Sequence, residues 1–176
     1  MTKLFKIFLI FIYLISLRQV NAANITGSNT INSDSTTQQV YNADDTSLII
    51  TNSATLSRTG QAPVNINGQD DGTLTINSGS SITATSHNTV QGKDQDGLTV
   101  INSGTISSGG SKAINLLNAQ NSTVTNNSGG IIKSNTNTVT LTENSGTGNN
   151  VTINNSGQIF SEAVSSGTTN NNAVKS

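Results

Sequence analysis

The 176-residue sequence predicts an all-β fold: a single-stranded parallel β-helix (β-solenoid) of about five to six coils, preceded by a signal peptide. Three observations predict it. A short motif with two apolar anchors recurs five times. Polar turn residues dominate, with Asn occurring 26 times and Gly 16 times, while charged residues make up only 10%. After residue 23 no stretch carries a helical apolar stripe, and the apolar pieces are short, β-branched and bounded by turn residues.

The first element is the leader. Met1 to Lys6 is a short basic start, Phe5 to Leu17 is apolar, and Val20-Asn21-Ala22 places small residues where a peptidase requires them. The apolar run is shorter than the roughly 20 residues of a membrane span. This three-part plan predicts export and cleavage after Ala22. Residues 23–41 are expected to form an N-terminal coil or cap, and 42–176 the β-helix repeats, ending part way through a coil.

The repeats come next. They read Leu48-Ile-Ile-Thr-Asn-Ser-Ala-Thr-Leu56, Leu74-Thr-Ile-Asn-Ser-Gly-Ser-Ser-Ile82, Leu98-Thr-Val-Ile-Asn-Ser-Gly-Thr-Ile106, Val124-Thr-Asn-Asn-Ser-Gly-Gly-Ile-Ile132 and Val151-Thr-Ile-Asn-Asn-Ser-Gly-Gln-Ile159. The anchors keep one spacing in all five copies, so the anchor frame is expected to be the rigid element. The Asn before Ser (Asn52, Asn77, Asn102, Asn127, Asn155) is expected at the bend between anchors, stacking its amide on the next coil. A third apolar mark follows each copy at Val64, Val90, Ile114, Val139 and Val174. Thr75, Thr99, Thr125 and Thr152 are expected to form one outward Thr column. A piece of two or three apolar residues cannot support a hairpin. Stacked on its counterpart in the next coil, it gains a parallel ladder about 4.8 Å away on either side.

Composition excludes several functions. There is no Cys, hence no disulfide framework or thiol chemistry. Beyond the leader, five basic residues face nine acidic ones, with no basic patch for nucleic acid. His87 is the single His, in a polar loop, and reads as a surface residue. Arg58 is the one Arg after the leader, there is no Trp, and no Gly-x-Ser-x-Gly elbow is present. These absences argue against an enzyme.

One cluster stands out. Asp44 and Asp45, Asp70 and Asp71, and Asp94 and Asp96 each precede the first anchor of a copy. Stacking should bring them to one corner of successive coils. Oxygen-rich clusters can hold Ca²⁺, which takes six to eight oxygen ligands, so these six residues form a candidate weak Ca²⁺ site. Asp is equally a favoured residue of solvated turns. Asn-x-Ser/Thr sequons occur, as at Asn24 and Asn121, and matter only in a glycosylating secretory pathway.

Repeated Leu-Thr-Val-x-Asn-Ser-Gly-Thr-Ile, with Asn88-Thr89-Val90 and Asn172-Ala173-Val174 as midway marks, resembles the passenger region of bacterial autotransporter (type V secretion) adhesins. The resemblance covers about Asn42 to Ser176 together with the leader. It implies a right-handed parallel β-helix in the periplasm or on the surface of a Gram-negative cell, acting as an adhesin or structural rod. Its partner would be a receptor on a host or neighbouring cell. The membrane β-barrel that anchors such passengers has no counterpart here, since Phe160 is the only aromatic after Tyr41. The expectation is therefore the N-terminal part of a longer protein. The alternative is a truncated β-helix carbohydrate-active enzyme.

Overall fold

The computed structural model describes residues 22–142, 150–162 and 173–175. The leader lies outside them, except for Ala22. The chain runs through β1 (Ala22–Ile25) and β2 (Ser28–Ile31) into five three-sided coils. Coil one holds β3 (Gln38–Tyr41), β4 (Ser47–Ile50) and β5 (Thr55–Arg58). Coil two holds β6 (Val64–Asn65), β7 (Thr73–Ile76) and β8 (Ser81–Ala84). Coil three holds β9 (Val90–Lys93), β10 (Thr99–Asn102) and β11 (Thr105–Ser108). Coil four holds β12 (Ile114–Leu117), β13 (Ser122–Asn126) and β14 (Ile131–Ser134). Coil five holds β15 (Val139–Thr142), β16 (Val151–Asn155) and β17 (Gln158–Ser161), and β18 (Val174–Lys175) follows.

Three parallel sheets result. Sheet A has the order β1-β3-β6-β9-β12-β15-β18, sheet B β16-β13-β10-β7-β4-β2, and sheet C β17-β14-β11-β8-β5. Parallel neighbours need a long crossover, and here each crossover is one coil of the solenoid. From β5 to β17 the chain makes four full turns. The expected all-β parallel solenoid is therefore the fold.

Alternation builds the core. In β7 the burial of Thr73-Leu74-Thr75-Ile76 alternates half-buried and buried, and β8, β10 and β11 do the same. Inward residues stack in columns: Leu56, Ile82, Ile106, Ile132 and Ile159 on sheet C, and Val64, Val90, Ile114, Val139 and Val174 on sheet A. Every expected third mark takes its place in the sheet A column. Burying one such side chain contributes about 1.5–3 kcal/mol. The thin core is a continuous stack of these contributions.

Sheet B corrects the anchor frame. Leu48 and Leu74 stack on Val100, then Val124, then Ile153. Leu98 is fully buried but sits one inward position earlier, and Val151 likewise pairs with Ser122. The constant spacing is thus not a constant frame. In coils one, two and four, five residues separate the last inward position of sheet B from the sheet C column, as 77–81 do between Ile76 and Ile82. In coils three and five only three do, as 103–105 between Asn102 and Ile106. A register shift of two preserves which face a side chain points to, so alternation alone is blind to it.

The same shift divides the Asn-Ser-Gly motif into two structures. In coils two and four it is an outward β-turn, closed by Ser80 N–H donating to Asn77 O at 3.0 Å and Gly130 N–H to Asn127 O at 2.9 Å. Gly79 and Gly129 sit at positive φ there. In coils three and five Asn is instead the last inward strand residue. Asn102 lies in register with Ile76 and Asn126, and Asn126 with Asn155. Asn52, Asn77 and Asn127 are outside this column, so the expected five-member Asn stack is a three-member ladder of Asn102, Asn126 and Asn155. Asn102 Nδ2 donates to Asn126 Oδ1 at 2.8 Å, and Asn126 Nδ2 to Asn155 Oδ1 at 2.8 Å. Asn102 and Asn126 are fully buried. Their amides are satisfied along the axis, which is what makes burial tolerable.

The Thr column divides similarly. Thr73, Thr99, Thr123 and Thr152 form one rank, and Ile49, Thr75, Ile101, Thr125 and Asn154 the other. Residues 23–41 are part of the stack: β1 pairs with β3, and β2 with β4. Ala22 is the first residue of β1 and opposes Gln38, so cleavage after Ala22 would leave β1 with three residues. Tyr41 stacks on Ile25 of β1 and reaches into coil two. It is buried, its hydroxyl donates to Thr73 O at 2.7 Å, and its ring fills the space beside Gly72.

Candidate functional site

The six candidate Asp residues lie at the corner between sheets A and B, on three successive coils. Turn chemistry places them there: Asp45, Asp71 and Asp94 hold positive φ, which Asp tolerates better than most side chains. The corner is knit across coils. Asp44 Oδ1 accepts from Asp70 N–H at 2.9 Å, and Asp70 Oδ1 from Asp96 N–H at 2.7 Å. The column continues with amides: Asn121 Nδ2 donates to Asp96 Oδ1 at 2.9 Å, and Asn150 Nδ2 to Asn121 Oδ1 at 3.0 Å. Asp71 lies against Gly97 of the next coil.

Asp94 stands in a second, shorter column. Hydrogen bonds from Asn118 Nδ2 at 2.7 Å and from the neighbouring Lys93 hold its carboxyl below the usual carboxylate range. The stacking expected for the corner is present, and Asp44, Asp70 and Asp96 fall in line along the axis. Each offers an oxygen to the next coil. Among the described residues no group of three or more Asp, Glu, His or Cys is arranged to hold a metal ion. Nothing in the composition signals these hydrogen bonds, because they depend on register between coils.

His87 is exposed and faces its neighbour Ser86, with Nδ1 and Oγ 3.2 Å apart. Arg58 donates to Thr36 O and to Gln61 Oε1, both at 2.8 Å, and so ties coil one to the preceding turn.

The outward faces are polar and nearly uncharged. On sheet C the hydroxyls pair along the ladder: Ser81 with Thr55 at 3.1 Å, and Thr83 with Ser107 at 3.1 Å. On sheet B the hydroxyls of Thr73, Thr99, Thr123 and Thr152 take no partner among the described residues and are open to solvent contacts. Two ion pairs occur among the described residues, Lys93–Asp94 at 3.1 Å and Lys133–Glu162 at 2.9 Å. Such exposed pairs are screened by solvent and add little to stability. Among the described residues the arrangement offers repeated hydroxyl and amide contacts. No family model, curated protein or solved structure matches the chain.

Proposed function

We propose that the chain is an exported, non-enzymatic contact module: a β-helix rod of the autotransporter-passenger kind, displayed at a Gram-negative cell surface. The observation that supports it most is the partition of side chains. Apolar residues fill the interior columns, while Ser, Thr and Asn repeat along the outward ranks at about 4.8 Å, the ladder spacing. Such a surface makes many weak contacts rather than one reaction. Linked weak contacts gain avidity without any new chemistry. Its partner would be a receptor on a host or neighbouring cell.

Two experiments test this reading. Expressed with its own leader in a Gram-negative host, the chain should be recovered outside the cytoplasm with Ala23 as its first residue. Unprocessed cytoplasmic chain would remove the export step. Beads coated with the mature chain should adhere to epithelial or bacterial cells above bare beads, and equal adherence would sink the contact role.

A further inference from the structure

The alternation of long and short turns leaves a feature that no single coil has. At the corner between sheets B and C, the turns of coils two and four project while the short turn of coil three recedes. A notch of about 510 Å³ opens between them, within the range of ligand sites. Ser78 and Gly79 form one wall and Gly129 the other. Sheet C supplies the floor through Thr83, Thr105 and Ser107. A second notch of about 370 Å³ lies beside the short turn of coil five, lined by Gly129, Gly130, Ile131, Ser156, Gly157 and Gln158.

We propose that these notches bind a neutral, extended polysaccharide laid along the rod axis. This rests on the contact-module reading and names its ligand class. Each Ser or Thr hydroxyl offers one donor and two acceptor positions, the pattern a sugar hydroxyl complements. Thr105 has no side-chain partner among the described residues. Ser80 lines the notch but is 2% exposed with its hydroxyl buried, so the reachable hydroxyls are those of Thr83, Thr105 and Ser107. Lys133, at the end of the floor, has its charge matched by Glu162, so the notch does not select an anion.

Other ligand classes fit less well. A peptide strand would need a free sheet edge, but β8, β11 and β14 are interior strands whose backbone groups are already paired. The notch carries neither the basic patch that nucleic acid needs nor a large exposed apolar residue for lipid. The notches lie two coils apart, about 10 Å by the ladder spacing. That is comparable to the two-sugar repeat of a flat, β-linked glycan. Bare glycine walls let such a chain approach closely.

The test is an NMR titration of the isotope-labelled mature chain with cellotetraose, and with the more coiled maltotetraose. Shallow, hydroxyl-lined sites predict a dissociation constant of about 1 mM. Cellotetraose should perturb 78–83, 103–107 and 129–133, and maltotetraose should perturb them less. Thr105→Tyr fills the notch with a good strand former and should weaken binding about tenfold, whereas Thr123→Tyr on sheet B should not. No perturbation with cellotetraose, an equal response to maltotetraose, or equal loss in both variants overturns the proposal. Cell adherence without a glycan response sinks the notch and leaves the rod. A glycan response without adherence sinks the rod and leaves the notch.

Discussion

Gly104 and Gly129 occupy the same place in two copies of Asn-Ser-Gly, yet replacing each by Ala should have different costs for different reasons. Gly104 lies in the short turn, pressed on coil two. An added Cβ would stand 2.6 Å from Asn77 O and 2.9 Å from Ile76 Cγ2, and closer still to Ser80 O. Carbonyl oxygens of a ladder cannot swing aside. Ser103 N–H donates to Ile76 O at 2.8 Å and Thr105 N–H to Ser80 O at 3.0 Å, and relieving the clash weakens both. Two hydrogen bonds at about 1 kcal/mol each, with about 1–3 kcal/mol of overpacking, give about 3–5 kcal/mol. Gly129 faces open space, and its cost is the positive φ of 84° alone, about 1–2 kcal/mol for an L-residue. Urea unfolding of both variants compares the totals. Amide exchange at Thr105 locates the loss, since stability in a stack is largely a matter between neighbouring coils. Equal losses, or native protection of Thr105 in Gly104→Ala, would refute the register on which this reasoning stands.

Further outcomes are expected. Asn126→Ala removes the middle of the buried ladder and should cost about 2–3 kcal/mol in urea unfolding, with exchange rising at Gly104 and Gly157. Gln95 is 1% exposed with both amide atoms unpaired, packed into the gap beside Gly92; Gln95→Met should raise stability by about 1–3 kcal/mol, and a loss would show that the amide is satisfied. Burial pushes the Tyr41 phenol up, partly offset by a backbone hydrogen bond at Leu48. Its contribution is whole below about pH 10; above that the unfolded chain loses the proton first, so stability should fall by about 1.4 kcal/mol per pH unit. Tyr41 is the one Tyr beyond the leader, so tyrosinate absorbance should appear only with unfolding, and titration of the native state would refute this. Asp70→Asn keeps the acceptor for Asp96 N–H and should be neutral or mildly stabilising, while Asp70→Ala should cost about 1 kcal/mol. Added Ca²⁺ should leave the melting temperature unmoved, and a rise abolished by Asp70→Asn would restore the ion to this corner.

The coil was legible because its strands are short, β-branched and bounded by Asn, Ser and Gly at a near-constant period. Val64, Val90, Ile114 and Val139 could be placed for that reason, and Val174 with them despite the longer intervening segment. Leu98 and Val151 misled because a two-residue shift leaves them inward, buried and apolar, so nothing local marks the change. Asn102 misled for the opposite reason: Asn before Ser-Gly reads as a bend, and only the coil above it makes burial of its amide affordable. The Asp corner was legible as a place but not as a set of bonds. The notch was invisible, since it arises from the difference between neighbouring turns rather than from any residue pattern.

The two hydrogen-bonded columns point in opposite directions along the rod. In the buried ladder the side-chain N–H groups of Asn102 and Asn126 aim toward the C-terminal coils, an orientation set by Gly104 N–H and Gly157 N–H, each donating to an Asn Oδ1 at 3.2 Å. At the corner the donors of Asp96, Asn121 and Asn150 aim back toward the N-terminus. Head-to-tail amide dipoles in a single column would add with every coil. Because the two columns oppose each other, the side-chain donors of the stack do not all face one end. A coil added at the C-terminal end would meet donors from one column and acceptors from the other.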